Sequence, residues 1–531
     1  MRPNAVLPAR GAALLLALVL GLLLFRLGDV PLLGPDEPRY ARVAVEMHRR
    51  GDWVVPTLQE RPWLEKPPLY YWLAGIAFSV LGENETAARL PSAVAAVALT
   101  GATALVGARL YGGSAGLHAG FVAGLALLTF VYGRAAAMDM LLAAAVTASA
   151  GLLGLRLLGI AGGMAVVAAG ACAGVGLLAK GPLGALLPAL VAGAMFVFWP
   201  ARAAGWRRIA PRLPLALLAL VVVAAPWYVA IVAAVGREFV DVFLLDHNLA
   251  RFTSTIHRHP GPFYYYLPLL LAGLFPWSGL LAPGLASLRP RAAADLFVLC
   301  WLGAPLVFFS AAGSKLPGYI LPCLPPLAIA AGRAADALVR GDGSRLWSRV
   351  AGVITVVLSA VVAAVPLVLR QGGEPLWTLL VPPAAWSVLT ALVVSARLAR
   401  DPAGALSLLR VGAAGLLLLL AGALPPLLAR RESGRELFRF TGGREVLAWN
   451  AWRTAWMAGY FYNDGRVRPV ARLDEVAAAA AAGPVLVVCG PGEERTLRAA
   501  PGLLARTLAQ GPRGNVLLRV RRPAPAAAPA P

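Results

Sequence analysis

Long apolar runs alternate with short polar segments along most of this chain of 531 residues. Many of the runs approach the roughly 20 residues that a helix needs to cross a hydrocarbon core about 30 Å thick. The first run covers about residues 9 to 27, and further runs begin near residues 88, 115, 135, 160, 182, 213, 263, 291, 319, 346, 376 and 404. This pattern predicts an all-α polytopic membrane protein with about 13 transmembrane helices.

The first apolar run follows a short basic start and therefore resembles a signal peptide. Its apolar part is longer than such peptides have, and no convincing cleavage site follows it. We expect it to be retained as the first helix.

The composition changes near residue 430, where charged residues return. The run Pro484 to Cys489 is typical of a buried strand, and the alanine-rich segment Asp474 to Ala482 before it is typical of a helix. We predict a transmembrane domain over residues 1–428, with a long loop over residues 28–87, and a small α/β domain over residues 429–522. The last residues, 523–531, are only Pro and Ala and are predicted to be disordered.

Basic residues concentrate in short loops, so the formal net charge of +22 does not indicate nucleic-acid binding. In a chain that is 59% hydrophobic, such loops are expected on the cytoplasmic side of the membrane. An odd number of spans puts the termini on opposite sides, and the arginine-rich loops then share the side of the N-terminus. Their arginines are Arg202, Arg207, Arg208, Arg212, Arg289, Arg291, Arg333, Arg340, Arg345, Arg349, Arg397, Arg400 and Arg410.

The loops predicted on the opposite, periplasmic side carry acids and bases together, beside aromatic residues and helix ends. Loops far apart in sequence thus converge on one membrane face, as in an active site assembled on a helical scaffold. The C-terminal domain falls on this side as well. The side chains are Asp36, Glu37, Glu65, Lys66, Arg134, Asp139, Lys180 and those of residues 246–252 and 314–319.

The acidic pair Asp36-Glu37 stands just after the first helix, followed by Arg39 and Tyr40. A carboxylate there can stay hydrated while it faces the membrane surface, which suits a general base or a metal ligand. A paired acid in a loop is often only a helix cap. The neighbouring arginine and tyrosine favour the functional interpretation.

Glu65-Lys66-Pro67-Pro68 couples an acid and a base to two prolines that fix the backbone and start a helix, predicted over Leu69 to Leu81. A lysine in such a place suits a phosphate as a point charge. The alternative interpretation is a local ion pair at the membrane interface.

Asp139 lies near the outer end of a predicted span, five residues after Arg134. That spacing is too long for a direct helical pair, so its partner is expected elsewhere in the chain. An intramembrane carboxylate of this kind favours function over a structural pair. Lys180 could instead extend to the interface, and its role stays open.

His247 and Arg251 are four residues apart, and so are Lys315 and Tyr319. Arg251 suits a phosphate because its guanidinium can bind two oxygens at once, and the second pair could add a charge and a hydroxyl donor to the same anion. A structural zinc site is not indicated, since the histidines lack metal-ligand spacing and the four cysteines form no close pair.

At these residues the chain resembles the lipid-carrier-dependent glycosyltransferases of the GT-C fold, within the protein O-mannosyltransferase-like superfamily. The resemblance is greatest to the family of aminoarabinose transferases that modify lipid A. The family's Asp-Glu pair is matched by Asp36-Glu37, and its Glu-Lys-Pro-Pro element, followed by aromatic residues, by residues 65–72. Its Arg-x-x-x-Met-Asp element is matched loosely by residues 134–139, and Ser-Lys-Leu-Pro-x-Tyr-x-Leu-Pro is matched well by residues 314–322.

The resemblance implies a GT-C fold and the transfer of a sugar from a polyprenyl phosphate, undecaprenyl phosphate in bacteria, to a periplasmic acceptor with inversion. The sugar would be 4-amino-4-deoxy-L-arabinose or another pentose or hexose, and the acceptor lipid A, another glycan or a protein. We expect a monomer in the bacterial inner membrane. No cofactor is certain, and a divalent metal ion stays open. The predicted site residues are Asp36, Glu37 and Asp139 as catalytic groups; Lys66, Arg251, Lys315 and Tyr319 for the lipid phosphate; Arg39, Tyr40, Glu65 and Arg134 as supporting groups; and Glu65, Asp246 and His247 as metal ligands.

Two rival functions remain at this point. A transporter or flippase of lipid-linked anions also binds its substrate with basic groups in a helical bundle, but it favours charges at mid-membrane and an inverted repeat. A non-catalytic scaffold or lipid-binding subunit is the other rival.

Overall fold

The computed structural model describes residues 6–243 and 261–523, and helices dominate both segments. The first segment contains α1 (Ala9–Leu24), α2 (Asp36–Arg50), the short strands β1 (Thr57–Leu58) and β2 (Arg61–Pro62), α3 (Leu69–Leu81), α4 (Glu85–Tyr111), α5 (Gly113–Gly124), α6 (Leu127–Gly133), α7 (Asp139–Leu157), α8 (Met164–Lys180), α9 (Leu183–Phe198), α10 (Arg202–Ile209), α11 (Leu213–Val235) and α12 (Arg237–Phe239).

The second segment continues the helical bundle and ends in a sheet. Its helices are α13 (Tyr266–Gly273), α14 (Leu281–Ala286), α15 (Ala293–Ala311), α16 (Leu324–Val339), α17 (Arg345–Gln371), α18 (Val381–Leu398) and α19 (Pro402–Glu432), followed by β3 (Val446–Trp449), α20 (Arg453–Met457), α21 (Gly459–Tyr462), β4 (Val467–Val470), α22 (Leu473–Ala482), β5 (Val485–Cys489), α23 (Pro491–Ala499), β6 (Leu504–Gln510) and β7 (Val516–Arg521). A 3-10 helix, Pro317–Cys323, precedes α16.

The predicted multi-pass helical architecture is present. Within the described residues, 7 helices are long and apolar enough to cross a membrane, or up to 9 if each of two bent helix pairs is one span. Four shorter apolar helices accompany them, α1, α3, α8 and α9. The predicted number of about 13 spans therefore remains a prediction.

The predicted loop over residues 28–87 is largely helical, because it contains α2 and α3. Helix α3 has the bounds predicted from the two prolines before it, whereas α2 was not predicted. Acids occupy the first turn of α2 and His48, Arg49 and Arg50 the last, so both ends complement the helix dipole. Gly51 ends the helix with φ +66, a conformation that favours glycine.

Small residues let the helices of the bundle approach closely. Helix α4 packs against α1, α5, α7 and α16, and α5 in turn packs against α16. At Gly116 of α5, an added Cβ would overlap the backbone nitrogen of Ala108 and the carbonyl oxygen of Ala104 in α4. Contacts of this type stabilise helix pairs in lipid, where van der Waals packing takes over from the hydrophobic effect.

The C-terminal region contains the predicted α/β module. Its five strands have the order β4-β3-β5-β7-β6; the first three are parallel, and β7 is antiparallel to both β5 and β6. The predicted strand is β5, which lies at the centre of the sheet and is almost wholly buried. One face of the sheet packs in a core with α22 and α23, and the other continues the core of the bundle.

Polar contacts fasten this module to α2. Asp464 accepts hydrogen bonds from Arg42 and from Arg49, the latter at 2.7 Å, and the Gln59 amide donates to the carbonyl oxygens of Gly465 and Val467 at 2.7 Å each. Burial of the Asp464 carboxyl opposes its ionisation, but the two guanidinium groups prevail and hold its pKa below its usual value. The module and α2 thus lie on the same side of the bundle.

The close approach at Gly116 predicts a large loss of stability on adding one methyl group. Gly116→Ala should lower the free energy of unfolding by about 1–3 kcal/mol, because the backbone of α4 must move to admit the methyl. The matched control is Gly193→Ala in α9, where an added Cβ meets nothing within 4 Å. Thermal unfolding in detergent should show a lower midpoint only for Gly116→Ala; equal midpoints would contradict the packing described here.

Candidate active site

A cavity of about 220 Å³ opens where five separate parts of the chain meet. The predicted convergence of Asp36, Lys66 and Tyr319 is present, since all three line this cavity. The described residues that line it are Asp36, Tyr40, Lys66, Tyr132, Ala137, Met138, Asp139, Lys180, Leu316, Pro317, Gly318 and Tyr319. Acids, bases and phenols therefore line one cavity.

Asp36 is the first residue of α2, and its side chain is 55% exposed. Arg39, one turn later, contacts the Asp36 carboxylate and stacks on the ring of Trp63 at 5.2 Å. Arg39 is buried, which lowers its pKa, but Asp36, Tyr40 and Glu65 together raise that pKa above its usual value. Arg39 is thus a fixed positive charge that supports Asp36 and leaves much of the carboxylate accessible.

Tyr40 follows on the same helix and also lines the cavity. Its burial and the nearby Asp36 carboxylate raise its pKa well above the usual value for a phenol. The hydroxyl is therefore protonated at neutral pH and can donate a hydrogen bond.

Lys66 reaches the cavity because the prolines after it turn the chain into α3. The Trp72 amide bonds to the carbonyl of Pro68 at 2.9 Å, which starts the helix directly behind the lysine. Lys66 is 8% exposed, and its ammonium donates to the carbonyl of Glu65 at 3.1 Å. A buried ammonium held by its own backbone is well placed for an anion.

Asp139 and Lys180 form an ion pair across two helices. Asp139 is the first residue of α7 and Lys180 the last of α8, so each charge complements a helix dipole. Their side chains contact each other and are 18% and 12% exposed. The partner of Asp139 therefore lies elsewhere in the chain, as predicted, and the open question about Lys180 is answered by this pair.

Tyr319 completes the wall beside this ion pair. The ammonium of Lys180 lies 4.7 Å from the centre of its ring. Gly318 before it is required for close packing, because a Cβ there would come within 2.7 Å of both Asp139 Oδ1 and the ring of Tyr132. The motif over residues 314–322 thus brings a phenol against the acid at the start of α7.

Glu37 was predicted to be catalytic, but it is not among the described residues that line the cavity. It is 8% exposed and forms an ion pair with Arg89 of α4 at 2.6 Å. Its carboxylate also accepts from the backbone amides of Leu33 and Ala136 at 2.7 Å each. These contacts explain why the second acid of the pair points away from the site.

Arg134, predicted to support the site, binds the C-terminal end of α1. Its guanidinium donates to four carbonyl oxygens, those of Leu22, Leu23, Phe25 and Arg26, at 2.7–3.3 Å. It therefore satisfies carbonyl groups that a helix leaves free at its C-terminus.

The remaining predicted residues divide into two groups. Lys315 is buried and donates to the carbonyl of Ala312 at 2.8 Å, beside the cavity lining. Asp246, His247 and Arg251 lie outside the described residues. In the described part of the chain no group of three or more His, Cys, Asp or Glu side chains could hold a metal ion.

The lysines carry a signal that the sequence interpretation missed. Of the 48 basic residues only three are lysine, Lys66, Lys180 and Lys315. Two of them line the cavity, and the third is next to the segment that lines it. All other basic residues of the chain are arginine, so a lysine indicates a position where a compact charge is needed. Tyr132 and Arg89 stand in no recognised motif and had no such signal.

An apolar groove of about 530 Å³ runs between α3, α4, α7 and α8. Its walls include Leu73 and Ile76 of α3, Val94 of α4, Leu141 of α7 and Val175 of α8. Helix α3 starts three residues after Lys66, and α7 starts at Asp139, so two walls of the groove begin at the cavity. On α7, Leu141 of the groove stands two residues after Asp139 of the cavity, although the two linings share no residue.

Comparisons with known proteins identify similar chains among membrane glycosyltransferases. The family model described as dolichyl-phosphate-mannose-protein mannosyltransferase matches residues 65–229. Undecaprenyl phosphate-alpha-4-amino-4-deoxy-L-arabinose arabinosyl transferases from Erwinia tasmaniensis and Pseudomonas aeruginosa are 34% and 36% identical, each over 56% of this chain. The matches cover 54% and 55% of those proteins, so the chain spans about half the length of the curated relatives it matches.

The crystal structure of ArnT from Cupriavidus metallidurans bound to undecaprenyl phosphate is similar over almost the whole chain. The TM-score is 0.78 at 25% identity, covering 96% of this chain and 97% of that one. The fold is therefore the GT-C fold of membrane glycosyltransferases. Within that fold the resemblance expected from the sequence is confirmed, since the chain is similar to the undecaprenyl phosphate aminoarabinose transferases.

The Asp139–Lys180 pair predicts a specific pattern of stability changes. Lys180→Met should lower the free energy of unfolding by about 1–3 kcal/mol, because it leaves a largely buried carboxylate unpaired. Adding Asp139→Asn should restore more than half of the loss, because the uncompensated charge is then gone. Thermal unfolding of the two single variants and the double variant tests this; simple addition of the two losses would contradict the pairing.

Proposed function

We propose that this protein is an integral membrane glycosyltransferase that transfers a sugar from a polyprenyl phosphate donor to an acceptor, with inversion at the anomeric carbon. The observation that carries the proposal is the shared cavity, which is lined by Lys66, Lys180 and Tyr319 together with Asp36 and Asp139. Donors for a phosphate and carboxylates for an acceptor are the two sets of groups that such a transfer needs.

The basic and phenolic groups would act on the leaving group. As the bond between sugar and phosphate breaks, negative charge grows on the lipid phosphate. Lys66, buried and directed into the cavity, would stabilise that charge more strongly in the transition state than in the bound donor. Tyr319 adds a hydroxyl donor to the same wall.

Asp36 is the better of the two acids for the acceptor. Its side chain is 55% exposed, whereas Asp139 is 18% exposed and paired with Lys180. Asp36 would remove the proton from a hydroxyl acceptor as that oxygen attacks the anomeric carbon, in a single in-line displacement. With an acceptor that is an ionised phosphate, Asp36 would instead orient the acceptor or hold a counter-cation.

The apolar groove suits the hydrocarbon chain of the donor. Its walls are aliphatic, and two of them start at the cavity that would hold the phosphate. A prenyl chain along α3 and α7 would bury its apolar surface there while its phosphate reached Lys66. Binding energy from this remote part of the donor would help to orient the reacting end.

The names of the relatives guide the choice of substrates. We propose undecaprenyl phosphate-linked 4-amino-4-deoxy-L-arabinose, or another pentose or hexose on that carrier, as the donor. The acceptor would be lipid A or another glycan or protein, reached from the periplasmic side of the bacterial inner membrane. The contacts of Arg42 with Asp464 and of Gln59 with Gly465 support a C-terminal module on the same, periplasmic side as α2.

Loss of a single cavity group should abolish most of the transfer. For purified protein in nanodiscs with undecaprenyl phosphate aminoarabinose and lipid A, we expect Asp36→Ala and Lys66→Ala to reduce kcat by about 10² to 10³, the effect of removing one transition-state contact. Arg345→Ala, on an exposed residue at the start of α17, should keep full activity. Mass spectrometry of the lipid product measures the rate.

The same preparation separates the rival functions. If the intact lipid-linked sugar crossed the membrane of proteoliposomes without bond cleavage, the protein would be a transporter and not a transferase. Neither movement nor cleavage, with any of the proposed donor sugars, would leave only a binding scaffold.

A larger side chain in the groove should make KM depend on the length of the lipid. Val94→Trp should raise KM about tenfold for the undecaprenyl donor and leave KM unchanged for a donor with two isoprene units, because only the long chain would extend along the groove as far as Val94. Val361→Trp, at a similarly exposed position on α17, is the matched control. Equal KM values for the long donor in both variants would place the prenyl chain elsewhere.

A further inference from the structure

Arg89 and Glu37 form a buried polar network in which every hydrogen-bonding position of both side chains is used. Arg89 is 2% exposed. Its five N–H donors bind Glu37 twice, at 2.6 and 3.4 Å, and the carbonyl oxygens of Leu27, Val30 and Pro31 at 2.5–3.1 Å. Each oxygen of Glu37 accepts from Arg89 and from one backbone amide. Such fully satisfied networks rigidify the segments that they join.

The network joins four segments of the chain at the cavity. Arg89 belongs to α4, and the carbonyl groups that it binds belong to the turn after α1. Glu37 belongs to the first turn of α2, next to Asp36. The amide of Ala136, bound by Glu37 at 2.7 Å, lies three residues before Asp139. Ser92, one turn after Arg89 on α4, also bonds to the carbonyl of Ala137 at 2.9 Å.

We infer that Glu37 and Arg89 are a positioning pair, which fixes Asp36 and Asp139 relative to each other in the cavity so that acceptor and donor meet at the reacting distance. The inference rests on the proposed transferase function. The carboxylate of Glu37, at the start of α2, accepts a hydrogen bond from the Ala136 amide in the segment before α7. Neither segment can therefore shift without breaking a buried charged contact.

The geometry separates this role from a catalytic one. The two oxygens of Glu37 already accept four hydrogen bonds, which is the capacity of a carboxylate. The carboxylate of Glu37 therefore has no free lone pair to accept a proton from an acceptor hydroxyl. Glu37 acts through Asp36 and Asp139, and a displacement of about 1 Å at reacting atoms is enough to cost about a hundredfold in rate.

Glu37→Gln tests the inference, because it keeps the shape and replaces one acceptor oxygen by an amide that faces two donors, one from Arg89 and one from the backbone of Leu33 or Ala136. We expect kcat to fall about a hundredfold in the folded fraction, while the dissociation constant for undecaprenyl phosphate, measured by native mass spectrometry, changes less than threefold. The pKa on the acid side of the kcat profile should stay that of the wild type, since Glu37 does not exchange the proton.

Asp295→Asn is the matched control for mere loss of stability. Asp295 is also a buried acid, 3% exposed, and it pairs with Arg333 and Tyr111. Tyr111 lies 22 residues after Arg89 on α4, about 33 Å along the helix axis. This variant should lower the unfolding midpoint and keep the wild-type kcat of the folded fraction.

Two outcomes would overturn the inference. If folded Glu37→Gln kept the kcat of the wild type, or lost no more than Asp295→Asn, the pair would be structural only. If the acid-side pKa of the profile moved or vanished in Glu37→Gln while Arg89→Met kept the wild-type kcat, Glu37 would be a catalytic base. Inactivity of the wild type on the donor would instead refute the proposed function, which is a separate result.

Discussion

Buried charge has to be paired at the edge of a membrane bundle, and this constraint organises the molecule. A carboxylate or guanidinium removed from water costs several kcal/mol unless a partner and further hydrogen bonds replace its hydration. Glu37 meets Arg89, Asp139 meets Lys180, and Asp295 meets Arg333. Each pair joins two different helices, so the need to neutralise charge also helps to fix which helices lie together.

The charged side chains that line the cavity lie at helix ends or next to them. Asp36 and Asp139 open α2 and α7, Lys180 closes α8, and Lys66 stands just before α3. A helix end is a rigid support, and its dipole stabilises an acid at the N-terminus and a base at the C-terminus. The cavity can therefore hold exposed charge on one side and a closed ion pair on the other without a flexible loop between them.

The C-terminal module is part of this arrangement through α2. Arg42 and Arg49 of α2 both bind Asp464, and Tyr462 bonds to the amide of Leu32 at 2.6 Å, four residues before Asp36. One face of the sheet also continues the core of the bundle. The first turn of α2 is thus held from two directions, by α4 within the bundle and by the module beside it.

The sequence by itself determined the class of fold and much of the site. Apolar runs of spanning length can only be helices in lipid, and two prolines fix where α3 begins, so these features depend on local chemistry alone. The convergence of Asp36, Lys66 and Tyr319 followed from the same chemistry combined with the family resemblance.

Only the tertiary structure decided between the two acids of the pair at residues 36 and 37. They are adjacent and chemically alike, but the helix turns them to different sides, one toward the cavity and one toward Arg89, 52 residues away. Pairing over such distances in the chain depends on how helices pack, which no local pattern encodes.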